Sequence, residues 1–136
     1  MTDDFKVYLA LDVGDKRIGA AMTNSIARLP QPLTTLNVDE NIMNQISDLI
    51  KANQVSELII GLPRGLNGQE TEQTKKIRKF NDEISSILNI PIFLIDEAGT
   101  SVQAKEELES RKKAYSKSDV DSLAASYILE DYLNEK

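Results

Sequence analysis

The chain has 136 residues, of which 40% are hydrophobic, and a formal net charge of −6. That length predicts one domain, residues 1–136, with enough apolar content for a real core. Cysteine and histidine are both absent, which excludes disulfides, zinc–thiolate clusters, cysteine nucleophiles, Ser-His-Asp triads and imidazole metal sites. Any chemistry must therefore use carboxylates, Lys, Ser, Thr or Tyr. Carboxylates without imidazole or thiolate suit hard cations such as Mg²⁺ or Mn²⁺. No apolar run approaches the length of a membrane span, and Met1-Thr2-Asp3-Asp4 is the reverse of a basic leader, so the expected location is cytoplasmic. The acidic balance argues against a general nucleic-acid binder. Two basic groups stand out against it, Lys75, Lys76, Arg78 and Lys79, and Arg111, Lys112, Lys113 and Lys117. Each taken alone reads as solvated surface.

In chain order, residues 7–13 and 17–23 form a hairpin of apolar strands around a sharp turn at Gly14-Asp15. Pro30 and Pro32 bracket a break, and residues 33–36 make a shorter third strand. Asp39-Glu40 opens a helix with Ile42, Met43, Ile46, Leu49 and Ile50 on one face, ending near Asn53. Residues 57–61 read as a buried parallel strand, 62–68 as a loop, and 71–89 as a helix with Ile77, Phe80, Ile84, Ile87 and Leu88 at helical spacing. Residues 91–97 form another buried strand that ends in Asp96-Glu97. A helix over 100–111 carries Thr100-x-x-Gln103 as a capping box, and a last helix over 119–133 faces Val120, Leu123, Ala124, Tyr127 and Ile128 inward. Antiparallel strands first and strand–helix–strand crossovers later predict an α/β fold, a mixed sheet with helices on both faces.

Three acids occupy unusual places. Asp12 lies within an apolar strand, where a carboxylate is costly to bury without a partner. It either accepts hydrogen bonds from the turn amides of residues 14–16 or holds a cation. Glu97, at a strand end, either starts the following helix with favourable negative charge or joins Asp12. Asp121 either closes a capping box with Ser118 or projects toward the other two. If the first strand neighbours the two parallel ones, the three carboxylates emerge together, and their repulsion is tolerable when a divalent ion sits among them. Such carboxylate sites support two-metal phosphodiester hydrolysis without histidine.

The stretch Gly61-Leu62-Pro63-Arg64-Gly65-Leu66-Asn67-Gly68 permits close approach of phosphate, with Arg64 as a partner, or is a plain strand-to-helix connection. It lacks the Gly-Lys-Ser/Thr ending of a nucleotide P-loop.

Taken together, Leu11-Asp12-Val13-Gly14-Asp15-Lys16-Arg17-Ile18-Gly19, Ile60-Gly61-Leu62-Pro63-Arg64, Asn67-Gly68, Asp96-Glu97 and Val120-Asp121-Ser122-Leu123-Ala124-Ala125 resemble the motifs of the YqgF/RuvX family, in family order and over nearly the whole chain. Its members are described as Holliday junction resolvases and as pre-16S rRNA nucleases. The resemblance implies a ribonuclease H-like fold, a five-stranded mixed sheet flanked by helices. It also implies an acidic catalytic triad of Asp12, Glu97 and Asp121 that holds Mg²⁺ or Mn²⁺, and a basic turn, Lys16 and Arg17, against the phosphate backbone. Arg64 and Lys117 are further expected substrate contacts. The expected partner is nucleic acid, pre-rRNA or branched DNA, and a resolvase requires two active sites and hence a homodimer. Two departures remove positive charge: Ala98 follows the Asp-Glu pair where the family has Arg, and Asp119 replaces a lysine before the helix Asp. These departures give weight to a rival reading, a non-catalytic RNA-binding or ribosome-assembly factor on the same fold. A sugar-kinase or actin-like nucleotide fold, whose first hairpin also carries Asp-x-Gly, pairs two such domains around ATP, and this chain supplies one.

Overall fold

The computed structural model describes residues 5–65, 67–97, 100–111 and 114–135. Residues 1–4, Leu66, Ala98, Gly99, Lys112, Lys113 and Lys136 lie outside them, as does the Thr100 side chain of the expected capping box. The elements run β1 (Val7–Val13), β2 (Arg17–Asn24), β3 (Gln31–Asn37), α1 (Ile42–Ala52), β4 (Glu57–Pro63), α2 (Glu72–Ser85), β5 (Ile92–Glu97), α3 (Thr100–Ser110) and α4 (Lys117–Asn134). The sheet order is β3-β2-β1-β4-β5. The first three strands are antiparallel neighbours, whereas β4 runs parallel to β1 and β5 parallel to β4. This is the mixed five-stranded sheet expected from the strand order.

Side chains alternate across the sheet with a period of two. Leu9, Leu11, Ile18, Ala20, Leu58, Ile60 and Leu62 face Ile42, Ile46 and Ile50 of α1 and Ile77 and Ile84 of α2. On the opposite face Tyr8, Ala10, Ile59 and Ile95 meet Ile128, Leu129 and Leu133 of α4. α4 lies across β1, β2 and β3, touches β4 and β5, and is backed by α3 through Ala104, Leu108, Leu123 and Ala124. Helices therefore cover both faces. Among the described residues no helix is long and apolar enough to cross a membrane.

Several boundaries differ from expectation for local reasons. β3 includes Pro32, which pairs with Ala21 beside a register shift at Ala20/Ala21; β3 is an edge strand, where a missing N–H is tolerated. β4 runs two residues further than expected, to Pro63. α2 begins after Thr71, whose hydroxyl accepts from the Thr74 N–H, and stops at Ser85 rather than at residue 89, leaving Ile87 49% exposed. α4 starts two residues early. Its capping box is Ser116 with Asp119, not Ser118 with Asp121: the Ser116 N–H donates to Asp119 Oδ2 at 2.9 Å and the Asp119 N–H to Ser116 Oγ at 3.3 Å. Asp119 thus meets a helix N-terminus where negative charge is favoured. Asp121, one turn in, is left free of capping.

Candidate active site

The site begins with parity on β1. Leu9 and Leu11 face α1 and α2, so Asp12 falls on the α4 face with Tyr8 and Ala10. The turn that follows closes on its own backbone, the Gly14 N–H donating to the Arg17 carbonyl at 2.9 Å. Among the described residues no hydrogen bond reaches the Asp12 carboxylate, so the turn-amide role weighed for it is not seen. Burial, and then the charge of Asp121, push its pKa up to about 6. A side chain that ionises only against resistance is a frequent mark of a functional site.

Asp121 reaches this position because Gly19, the cross-strand partner of Asp12, carries no side chain. A Cβ at Gly19 would lie 2.0 Å from the Asp121 carbonyl oxygen, so only glycine lets the first turn of α4 dock on β2. The Asp121 carboxylate then accepts from Arg17 Nε at 2.6 Å, and both side chains are half-buried.

Glu97 closes β5, and its Cγ lies 3.6 Å from where a Cβ on Gly61 would stand. A Cβ at Gly61 would also meet the Ile128 Cδ1 at 2.6 Å. Glycine in mid-strand thus keeps room beside both α4 and Glu97, a role that neither the phosphate-approach reading nor the plain-connection reading of residues 61–68 gave it. A glycine inside an apolar strand was the available signal. Burial raises the Glu97 pKa to about 9, helped by a hydrogen bond with Asp131 and the charges of Asp131, Glu135 and Asp12. Its Oε1 is buried with no hydrogen-bond partner among the described residues. Asp131 and Glu135 were not singled out from the sequence; on an exposed-looking helix end they resemble ordinary surface acids.

Asp12 therefore stands within electrostatic reach of both Asp121 and Glu97. The three are not gathered into one cup. Among the described residues no three acids form a ready-made metal site, because Asp121 leans on Arg17 and Glu97 on Asp131. The donor set nonetheless fits a hard divalent cation: oxygen ligands only, two of them with pKa values raised by burial, and one buried oxygen without a partner.

The expected substrate contacts separate into two groups. Arg17 and Lys117 line an open cleft of about 490 Å³ beside Asp121, together with Lys105, Tyr115, Ser116 and Val120. Lys105 and Tyr115 were not anticipated from the sequence. Lys16 is exposed at the β1–β2 turn, its carbonyl accepting from the Val38 N–H at 2.9 Å. Arg64 is engaged elsewhere: its Nε donates to Asp96 at 3.0 Å and its Nη1 to Glu70 at 3.4 Å, while Arg78 grips the same Glu70 at 2.7 Å. Arg64 thus ties the β4–α2 loop to the end of β5.

Comparison with known proteins agrees with this architecture. The profile of the RuvX family, described as Holliday junction resolvase, matches residues 6–135. A Chloroflexus aurantiacus protein named "Putative pre-16S rRNA nuclease" is 39% identical over 135 residues, covering 96% of this chain and 88% of the relative. A protein of the same name from Crocosphaera subtropica is 40% identical over 132 residues, with coverage of 94% and 92%. Among solved structures, Thermus thermophilus RuvC in complex with Holliday junction substrate superposes with a TM-score of 0.57 at 12% identity, over 95% of each chain. The fowlpox virus Holliday junction resolvase gives 0.55 at 14% identity, over 95% of this chain and 97% of that one. At such identities the likeness is one of fold, the ribonuclease H-like fold.

Proposed function

The chain belongs to the RuvX family, and from that premise we propose that it is a divalent-metal-dependent nuclease that hydrolyses phosphodiester bonds in the 5′ part of pre-16S rRNA. The observation that carries the reading is Asp12: a desolvated carboxyl on the central strand, its pKa raised to about 6, with Asp121 on one side and Glu97 on the other. Asp12, Glu97 and Asp121 would hold the cation. When bound, Mg²⁺ or Mn²⁺ supplies positive charge at the scissile phosphate and acidifies water. The residues of the chain do the rest. Arg17 orients the Asp121 carboxylate through the 2.6 Å contact at its Nε. Glu97 holds a proton against Asp131 at neutral pH, which lowers the repulsion that three ionised acids would suffer. Lys16, Arg17 and Lys117 present positive charge toward the phosphate backbone.

The choice of rRNA over branched DNA rests on the names of relatives at 39–40% identity. The lysine-to-Asp119 departure does not by itself favour a non-catalytic factor, since Asp119 is used to cap α4. The reading is tested by incubating the chain and its Asp12→Asn variant with a 5′-extended 16S rRNA fragment and with a four-way DNA junction, each with Mn²⁺. Cleavage of the rRNA by the parent chain, reduced by at least ~10²-fold in the variant, is expected, on the scale of removing one charge-stabilising group. Cleavage of the junction alone would shift the substrate to branched DNA. Equal cutting by the variant, or none by either chain, overturns the catalytic role.

A further inference from the structure

The cleft beside Asp121 holds two residues that the hydrolytic reading does not use, Lys105 and Tyr115. It is lined by three cations, Arg17, Lys105 and Lys117, and a single acid, in a chain whose net charge is −6. Arg17 is already neutralised by Asp121 at 2.6 Å. Lys105 and Lys117 have no carboxylate partner among the described residues, so their charge is available to an anion. With Ser116 and Val120, Tyr115 lines the cleft as well. Its hydroxyl donates to Glu109 at 3.1 Å, which fixes the tilt of the ring. Tyr115 packs against the cluster of Ala104, Leu108, Leu123 and Ala124 and also lines a second cleft with Pro32. By contrast Tyr8, Phe93 and Tyr132 pack on one another, where their faces are already used.

We infer that this cleft takes one unpaired nucleotide of the substrate, its base stacked on Tyr115 and its phosphate against Lys105 and Lys117, so that strand breakage is directed to unpaired positions. The volume of about 490 Å³ lies within the ~300–1,000 Å³ of ordinary small-ligand sites. A base inside a duplex has both faces covered by its neighbours and offers nothing to an aromatic ring, whereas an unpaired base stacks on one readily. Two lysines and a tyrosine therefore select for strandedness without reading sequence. The placement beside the acids rests on the nuclease reading; the binding itself does not.

Anisotropy titration of the full Asp12→Asn chain, which removes turnover, with a labelled single-stranded RNA 12-mer and with a blunt-ended 12-base-pair RNA duplex tests this. The single strand binds more tightly than the duplex. Tyr115→Ala weakens single-strand binding by roughly 5–100-fold, the range for loss of one base–aromatic stack, and leaves duplex binding as it was. Tyr115→Phe, which keeps the ring and drops the hydroxyl, binds as the parent does. Lys105→Ala lowers the salt dependence of single-strand binding by a slope of about 0.7. Unchanged binding by Tyr115→Ala, equal losses in the Ala and Phe variants, or a duplex bound as tightly as the strand each overturn the inference. Because no cleavage is read, a chain that binds in this way but never cuts sinks the nuclease reading alone, and a chain that cuts while indifferent to Tyr115 sinks only the inference.

Discussion

The two faces of one sheet are built to different rules. On the α1/α2 face every strand contributes aliphatic side chains, and Ile46, Ile60, Ile77 and Ile84 are all but inaccessible to water. On the α4 face the same strands contribute aliphatic residues only over part of their length; β1, β2, β4 and β5 also present Asp12, Gly19, Gly61 and Glu97 there. Apolar volume has been given up there for close approach and for charge. Acids buried against their preference cost stability, so the first face carries the fold and the second spends part of what it supplies.

Substitutions on the two faces should therefore separate stability from activity. The largest effect on folding is expected from Ile60→Ala, which opens a cavity in the fully buried face and lowers unfolding free energy by about 2–5 kcal/mol. Denaturant titration measures the loss, and cleavage per folded molecule stays at the parent level; a matching loss of cleavage would erase the distinction between the faces. Gly19→Ala is next, at about 1–3 kcal/mol, because the new methyl must push back the Asp121 backbone. Here activity falls as well, since Asp121 moves with its helix. The smallest effect is one of slope. Glu97 has its pKa raised to about 9 from 4.5, so the folded chain holds a proton that the unfolded chain releases. Stability is then highest below pH 4.5 as far as this group is concerned and is lost as the pH climbs toward 9. Asp12 adds the same trend between 3.8 and about 6. Glu97→Gln removes the proton exchange, so its melting temperature falls less than the parent's between pH 6 and 9. Identical pH profiles for the two chains would show that Glu97 ionises freely.

The aliphatic face was the legible one. Ile42, Ile46 and Ile50, or Ile77 and Ile84, announce a helix face by spacing alone, and residues 57–61 announce a strand by their continuity. The α4 face was legible only in its principal acids. Ser116-x-x-Asp119 and Ser118-x-x-Asp121 satisfy the same capping pattern, and only the docking of α4 on Gly19 distinguishes them. Pro32 ends a strand in the usual reading and enters one here because β3 has an open edge. The pairing of Glu97 with Asp131, and the grouping of Tyr115 with Lys105 and Lys117, depend on which helix crosses which strand end. Such a crossing leaves no trace in local spacing.

One further consequence belongs to α4 itself. The helix is unbroken from Lys117 to Asn134, so the α-carbons of Asp121 and Asp131 are held roughly 15 Å apart by its rise. A rod of that kind works as a ruler: with oxygen ligands at ~2.0–2.1 Å, one Mg²⁺ cannot be shared by carboxylates so spaced. The helix must offer it one end or the other. In the proposed site the cation would lie at the Asp121 end, and Glu97, which pairs with Asp131 at the far end, would have to give up that partner to join it.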